Sequence, residues 1–201
     1  MTRTLSGRPR DAAARRSGVD AKAAGPWRGL FAEALGPAPR RVLDVGCGDG
    51  GVSFLLFALG HYPQGIDRSP ETVRRARDRA RARCAAVPFH VGFAEDLDFA
   101  AEAFDAVVAR DLLETLPQPE AALAEWFRVL KPGGVVVVAE TRTPPDGRFP
   151  AAERLRAAGF DRIVTRAPIA PAGRGRTETP WYRRLTSPAA PSGAAAWGAR
   201  P

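Results

Sequence analysis

Lysine is almost missing from this chain: of its 30 basic side chains only Lys22 and Lys131 are lysines. That bias, together with the abundance of Ala, Gly and Pro, reads as codon pressure from a GC-rich genome, so the arginine count overstates any chemical demand for guanidinium groups. Cysteine is nearly as scarce. Cys47 and Cys84 stand apart without the spacing of a metal site, which excludes a disulfide scaffold and suits a reduced, cytoplasmic protein with no bound metal. No apolar run is long enough to span a bilayer, so no membrane association is expected. The Arg- and Ala-rich start lacks the apolar core of a secretory signal; an organelle transit peptide is the alternative reading of that composition. Residues 1–20 also lack large apolar side chains and cannot offset the entropy of ordering, so a disordered basic segment is expected there.

Hydrophobic residues, by contrast, make up 45% of the 201, enough for one domain with a buried core. The net charge of +8 invites a nucleic-acid reading. Its distribution argues otherwise. Residues 1–28 carry 7 basic and 2 acidic side chains, residues 162–201 carry 7 and 1, and residues 29–161 carry 16 and 19. A mildly acidic body with basic ends is a poor match for a polyanionic substrate.

Periodicity places a first helix from Pro26, with Trp27, Leu30, Phe31, Ala34 and Leu35 on one stripe. Strands follow at residues 41–45, 63–67, 88–93, 104–109 and 135–139, separated by helices at 51–59, from Pro70 to about Cys84, and from Pro119. Ser69, Pro70 and Glu71 supply a cap, a first-turn proline and a first-turn acid in the preferred order. Lys131-Pro132-Gly133-Gly134 stops the helix that begins at Pro119. A helix at 151–158, a strand at 162–165 and an edge strand near 181–185 complete the domain, taken as residues 21–186. Residues 187–201 read as a low-complexity tail. This alternation predicts an α/β fold, a doubly wound and mostly parallel sheet with ligands beyond the carboxyl ends of its strands.

The glycine-rich turn after the first strand satisfies two patterns at once. Gly46, Gly48 and Gly51 fit the dinucleotide fingerprint, with Asp67 about 20 residues on for a ribose; Asp44, Gly46, Gly48 and Gly50 fit an acid-x-Gly-x-Gly-x-Gly pattern. Other residues have plainer readings. Asp67 could simply cap the next turn, and Cys47 is a small filler of the turn with no paired base. His61 lies at the wrong end of the sheet, and His90 lies inside the third strand, so neither is a candidate catalyst. The arginines at 74, 75, 77, 79, 81 and 83 surround their helix and read as a solvated face. Arg174, Arg176, Arg183 and Arg184, interleaved with Trp181 and Tyr182, are the better anion-binding candidates, with a packed edge strand as the plainer alternative.

Five blocks in order, residues 42–50, 65–71, 94–99, 104–108 and 128–134, resemble the successive motifs of class I S-adenosylmethionine-dependent methyltransferases. The likeness is to small-molecule enzymes of the ubiquinone and menaquinone biosynthesis type, and it covers roughly residues 26–165. It implies S-adenosyl-L-methionine as cofactor, with Asp44, Gly46, Cys47 and Gly48 around its methionine part and Asp67 on both ribose hydroxyls. It further implies Arg68 flanking the adenine, Ala94 and Glu95 along its edge, and Arg110 near the methionine carboxylate or the transferred methyl. Phe93 stands where the family commonly has an acid, leaving ring stacking by Phe93 or substitution by Asp96 as alternatives. Leu113-Glu114-Thr115 likewise lacks the family's frequent histidine.

The implied reaction is methyl transfer by direct displacement to an oxygen, nitrogen or carbon of a small-molecule acceptor. If the acceptor must lose a proton, Asp111 and Glu114 sit where the substrate should arrive. Residues 110–113 lack the Asn/Asp-Pro-Pro-Tyr/Phe-like block of amino-directed nucleic-acid enzymes. Two alternatives remain open: a nucleic-acid or protein methyltransferase that uses the basic ends, and a cofactor-binding protein without catalysis. Only residues 141–150 separate the fifth strand from the next helix. The first helix, a second subunit in a homodimer, or nothing would then close the pocket.

Overall fold

The computed structural model describes residues 25–140, 151–166 and 181–186. The expected disordered segment, the tail, the short connection at 141–150 and Arg174 and Arg176 all lie outside them. In chain order the elements are α1 (Gly25–Leu35), β1 (Arg41–Val45), α2 (Gly51–Ala58), β2 (Tyr62–Asp67), α3 (Pro70–Ala82), β3 (Phe89–Val91) and β4 (Phe104–Arg110). A single 3-10 turn (Leu113–Thr115), α4 (Pro119–Val129), β5 (Leu130–Glu140), α5 (Ala151–Ala157), β6 (Asp161–Arg166) and β7 (Trp181–Thr186) follow.

The sheet order is β3-β2-β1-β4-β5-β7-β6. Its first five strands are mutually parallel, and β7 runs antiparallel to both neighbours. The mostly parallel, doubly wound sheet is therefore present. One correction concerns β7, expected at the edge: it fills the gap between β5 and β6, and β6 is the edge. β5 and β6 run parallel with a one-strand space between them, and a returning antiparallel strand can pair on both of its sides there.

Alternation in the strands sorts the core onto two faces. Leu43, Val45, Val107, Ala109, Val136 and Val138 meet Leu123, Trp126 and Val129 of α4 and Leu155 of α5. Val42, Ala106, Val108, Val135 and Val137 meet Leu30, Phe31 and Leu35 of α1 and Val52, Leu55 and Leu56 of α2. A third cluster under α3 joins Val73, Ala76 and Ala80 to Cys47, Phe54 and Phe89. The α1 stripe read from the sequence is buried throughout.

Capping follows the sequence. The Ser69 hydroxyl accepts the Thr72 amide at 3.2 Å, with proline in the first turn. The α3 arginines are engaged locally: Arg74 with Asp78, Arg75 with Glu71, Arg81 with Asp78, and Arg77 with the Phe89 carbonyl. Such pairs solubilise a helix face.

Residues 131–134 do more than stop α4. Pairing with β4 resumes only at Val135, after a break that begins at Leu130, so these residues form an irregular opening of β5. The Lys131 ammonium donates to Asp105 Oδ1 at 2.7 Å, and the Arg41 amide donates to Oδ2 at 2.8 Å. Burial pushes the Asp105 carboxyl up, but the Lys131 and Arg41 hydrogen bonds outweigh it and hold the group below its ordinary value. This clasp ties three strands together at the amino end of the sheet.

His61 is 2% exposed at that same end, and neither ring nitrogen meets a hydrogen-bond partner among the described residues. His90 is exposed, its ring edge-on to Phe99 at 6.1 Å. Because β3 is only three residues long, His90 lies one residue from its carboxyl end and not several.

Candidate active site at the carboxyl ends of the strands

Four chain reversals meet beyond the parallel strands: the glycine turn after β1, residues 67–68 at the end of β2, residues 92–95 after β3, and residues 112–117 after β4. Together they enclose a cleft of about 280 Å³. Its wall includes Gly46, Asp67, Arg68, Phe93, Ala94 and Glu95 on one side and Leu112, Thr115, Leu116 and Pro117 on the other.

The turn shows which of the two glycine patterns is structural. Gly46 has φ +68°, and a Cβ there would stand 2.9 Å from the Leu112 side chain. Gly50 has φ +90°, and a Cβ there would be 2.7 Å from the Phe89 ring. Gly51, needed only by the dinucleotide fingerprint, starts α2 with ordinary backbone angles and has nothing closer to a Cβ than 4.0 Å. The acid-x-Gly-x-Gly-x-Gly pattern is the one that the backbone requires.

Asp67 closes β2 with its carboxylate oriented by two main-chain donors. The Gly48 amide reaches Oδ2 at 3.0 Å and the Ser69 amide reaches Oδ1 at 2.9 Å. The turn-capping role considered above is real, but only one oxygen serves it. Each oxygen has accepted one hydrogen bond and can accept another, and the side chain forms part of the cleft wall.

Asp44 is placed differently. It is 1% exposed, lies outside the cleft wall and accepts the Ser53 hydroxyl. Burial pushes its carboxyl up to about 7, against the lowering effects of Ser53 and Arg110. Cys47 is also buried, its thiol donating to the Gly48 carbonyl at 3.6 Å. Burial, then the charges of Asp44 and Asp67, push that thiol far above its ordinary range, so it is no nucleophile. Gly48 contributes its amide to Asp67 and does not itself line the cleft.

Arg110, Asp111 and Glu114 are all exposed and lie just outside the wall. The Arg110 guanidinium stands over the Trp27 ring of α1, 5.4 Å from its centroid, and 3.8 Å from Asp111. Asp111 holds φ +52°, its amide donating to the Ala139 carbonyl at 2.8 Å. Glu114 lies on the 3-10 turn beside Thr115, which does line the cleft.

Several contributors carry no sequence signal. Leu112, Leu116 and Pro117 form the apolar wall, yet nothing in a Leu-Leu or Leu-Pro pair marks it. The adjacent loop is braced from α4. Trp126 Nε1 donates to the Ala94 carbonyl at 3.2 Å, the Leu97 amide donates to Glu125, and Arg128 donates to the Leu97 and Phe99 carbonyls. Arg128 stands within the fifth resembling block, but its partners lie about 30 residues earlier.

The family model described as "Methyltransferase domain" matches residues 43–138, the segment that builds this cleft. Over these residues the chain carries a methyltransferase domain. It is 38% identical over 137 residues to a ubiquinone biosynthesis O-methyltransferase of Xanthomonas axonopodis pv. citri, covering 67% of this chain and 54% of that protein. It is 39% identical over 141 residues to a demethylmenaquinone methyltransferase of Thermus thermophilus, covering 69% and 63%. The chain thus spans between half and two thirds of the length of these two relatives. Among solved structures, a Pyrococcus horikoshii protein superposes with a TM-score of 0.67 at 22% identity, covering 83% of this chain and 90% of that one. A [4+2]-cyclase superposes with a TM-score of 0.65 at 26% identity, covering 83% and 82%. Proteins that share this fold differ in what they do, so the fold alone does not identify a reaction.

Proposed function

We propose that this methyltransferase transfers a methyl group from S-adenosyl-L-methionine to an oxygen, nitrogen or carbon of a small-molecule acceptor. The observation that supports this is Asp67, a residue of the cleft lining whose two oxygens are each held by one amide and can each accept a further hydrogen bond. A pair of adjacent ribose hydroxyls is the complementary donor set. The bare Gly46 in the cleft wall, where a Cβ would crowd Leu112, completes the fit.

Arg68, Ala94 and Glu95 line the same cleft and would contact the nucleoside. Asp44, Cys47 and Gly48 would act on the methionine portion through the shape of the turn, since their side chains do not reach the cleft wall. Arg110, steadied on Trp27, would offer a cation to a carboxylate at the mouth.

S-adenosyl-L-methionine, when bound, supplies a methyl carbon made electrophilic by its sulfonium. Leu112, Leu116 and Pro117 would give that part of the cleft an apolar lining. The rigid turn and Asp67 limit the reactants to a narrow range of orientations, the main contribution a direct displacement needs. For a hydroxyl acceptor, Asp111 and Glu114, both exposed in the segment after β4, would be the carboxylates that receive its proton.

The relatives named for ubiquinone and menaquinone biosynthesis support a small, hydroxylated, quinone-like acceptor. The local pairing of Arg74, Arg75 and Arg81 with Asp78 and Glu71 supports a solvated face over a nucleic-acid groove there. Two thiols without a bridge fit a cytoplasmic setting. The test is calorimetry with S-adenosylmethionine and S-adenosylhomocysteine, followed by mass detection of methylated product with hydroxylated quinol acceptors. Micromolar binding and a 14-dalton gain on the acceptor are expected, on the order of affinities common for such ligands. Well-folded protein that binds neither compound would overturn the proposal.

A further inference from the structure

Among the described residues three large hydrophobic side chains are strongly exposed: Tyr62, Val91 and Phe93. Only Phe93 lines the cleft, and 59% of it faces solvent. Its position is set by the sheet. Val91 pairs with Asp67 across β3 and β2, and the Gly92 amide donates to the Asp67 carbonyl at 3.1 Å, so Phe93 follows directly beside the end of β2. A bridge between Phe93 and Asp96 folds the next four residues into a tight turn. The braced Ala94 carbonyl anchors this turn from behind.

Asp96, the other residue with which the sequence could have read the base, is exposed and outside the cleft wall. Resting on the reading of Asp67 as the ribose site, we infer that the cofactor's base lies against the ring of Phe93. A flat π-face next to the diol-binding carboxylate takes a purine by stacking, and stacking does not read the exocyclic group of the ring. Phe93 is therefore the residue through which this chain holds the nucleobase, and it contributes equally for purines that differ at that group.

Calorimetry on the full chain tests this with S-adenosylhomocysteine and S-inosylhomocysteine. Because Phe93 is exposed, Phe93→Ala leaves the core intact, which an unchanged melting temperature verifies. Phe93→Ala is expected to weaken both ligands by roughly 5- to 100-fold and by the same factor, while Phe93→Tyr binds within about threefold of the parent. Phe93→Trp adds a fluorophore whose emission, relative to the parent, is quenched when S-adenosylhomocysteine is added. Unchanged affinity in Phe93→Ala, or unquenched emission in Phe93→Trp despite calorimetric binding, overturns the stacking role and leaves the ribose assignment standing. If the parent binds neither ligand, the ribose assignment falls too.

Discussion

The Gly48 amide donates to the Asp67 carboxylate at 3.0 Å, across 19 residues of sequence. One side chain therefore shapes the glycine turn and faces the cleft.

This double duty makes Asp67 the most sensitive position. Asp67→Asn puts an amide where Gly48 and Ser69 both point donors, and Asp67→Ala removes the acceptor altogether. Charged hydrogen bonds of this type contribute about 1.5–3 kcal/mol each. Titration calorimetry should show S-adenosylhomocysteine bound roughly 10- to 100-fold more weakly in either variant. Affinity within twofold of the parent would remove Asp67 from the ligand.

The glycines separate the two sequence patterns. Gly50→Ala forces a Cβ against the Phe89 and Phe54 rings at positive φ. A loss of about 1–3 kcal/mol is expected in denaturant unfolding. Gly51→Ala starts α2 with open space around it and should be neutral or slightly stabilising. Equal losses at the two positions would restore the dinucleotide pattern.

The buried Asp44 carboxyl gives a pH signature. Its folded value, raised by burial to about 7, lies above the unfolded value of 3.8. Between those limits the folded chain keeps a proton that the unfolded chain releases, so stability is lost as pH rises toward 7. The slope is at most about 1.4 kcal/mol per pH unit. Asp44→Asn should flatten the melting temperature between pH 5 and 8 relative to the parent. Parallel curves would show that the carboxylate is already charged at pH 5.

Thiol chemistry should divide the cysteines. Cys84 is exposed, whereas Cys47 is buried beneath Gly65 with its thiol held protonated. Mass spectrometry after brief iodoacetamide treatment at pH 8 should find one adduct, at Cys84, and a second only after unfolding. Rapid labelling of native Cys47 would contradict its packing.

Much of this architecture was legible from local signals. Alternating strand and helix periods, the Ser69-Pro70-Glu71 start and the Trp27-to-Leu35 stripe depend on neighbours a few residues apart, and each is present. Long-range partners were not legible. The Arg128 brace joins carbonyls some 30 residues away, and the place of β7 depends on a gap that only the assembled sheet creates.

By itself the sequence determined a strand running into a glycine turn, an acid about 20 residues on, and a chain that must wind helices onto both faces of a parallel sheet. Those features follow from backbone sterics and hydrophobic period, which are local properties. The tertiary structure alone decided that Gly50 and not Gly51 is constrained, that Asp44 turns inward to Ser53 while Asp67 faces the cleft, and that Leu112 closes the turn from the opposite side. Each of these depends on which side chain arrives across the sheet, and packing between distant segments settles that only once the chain is folded.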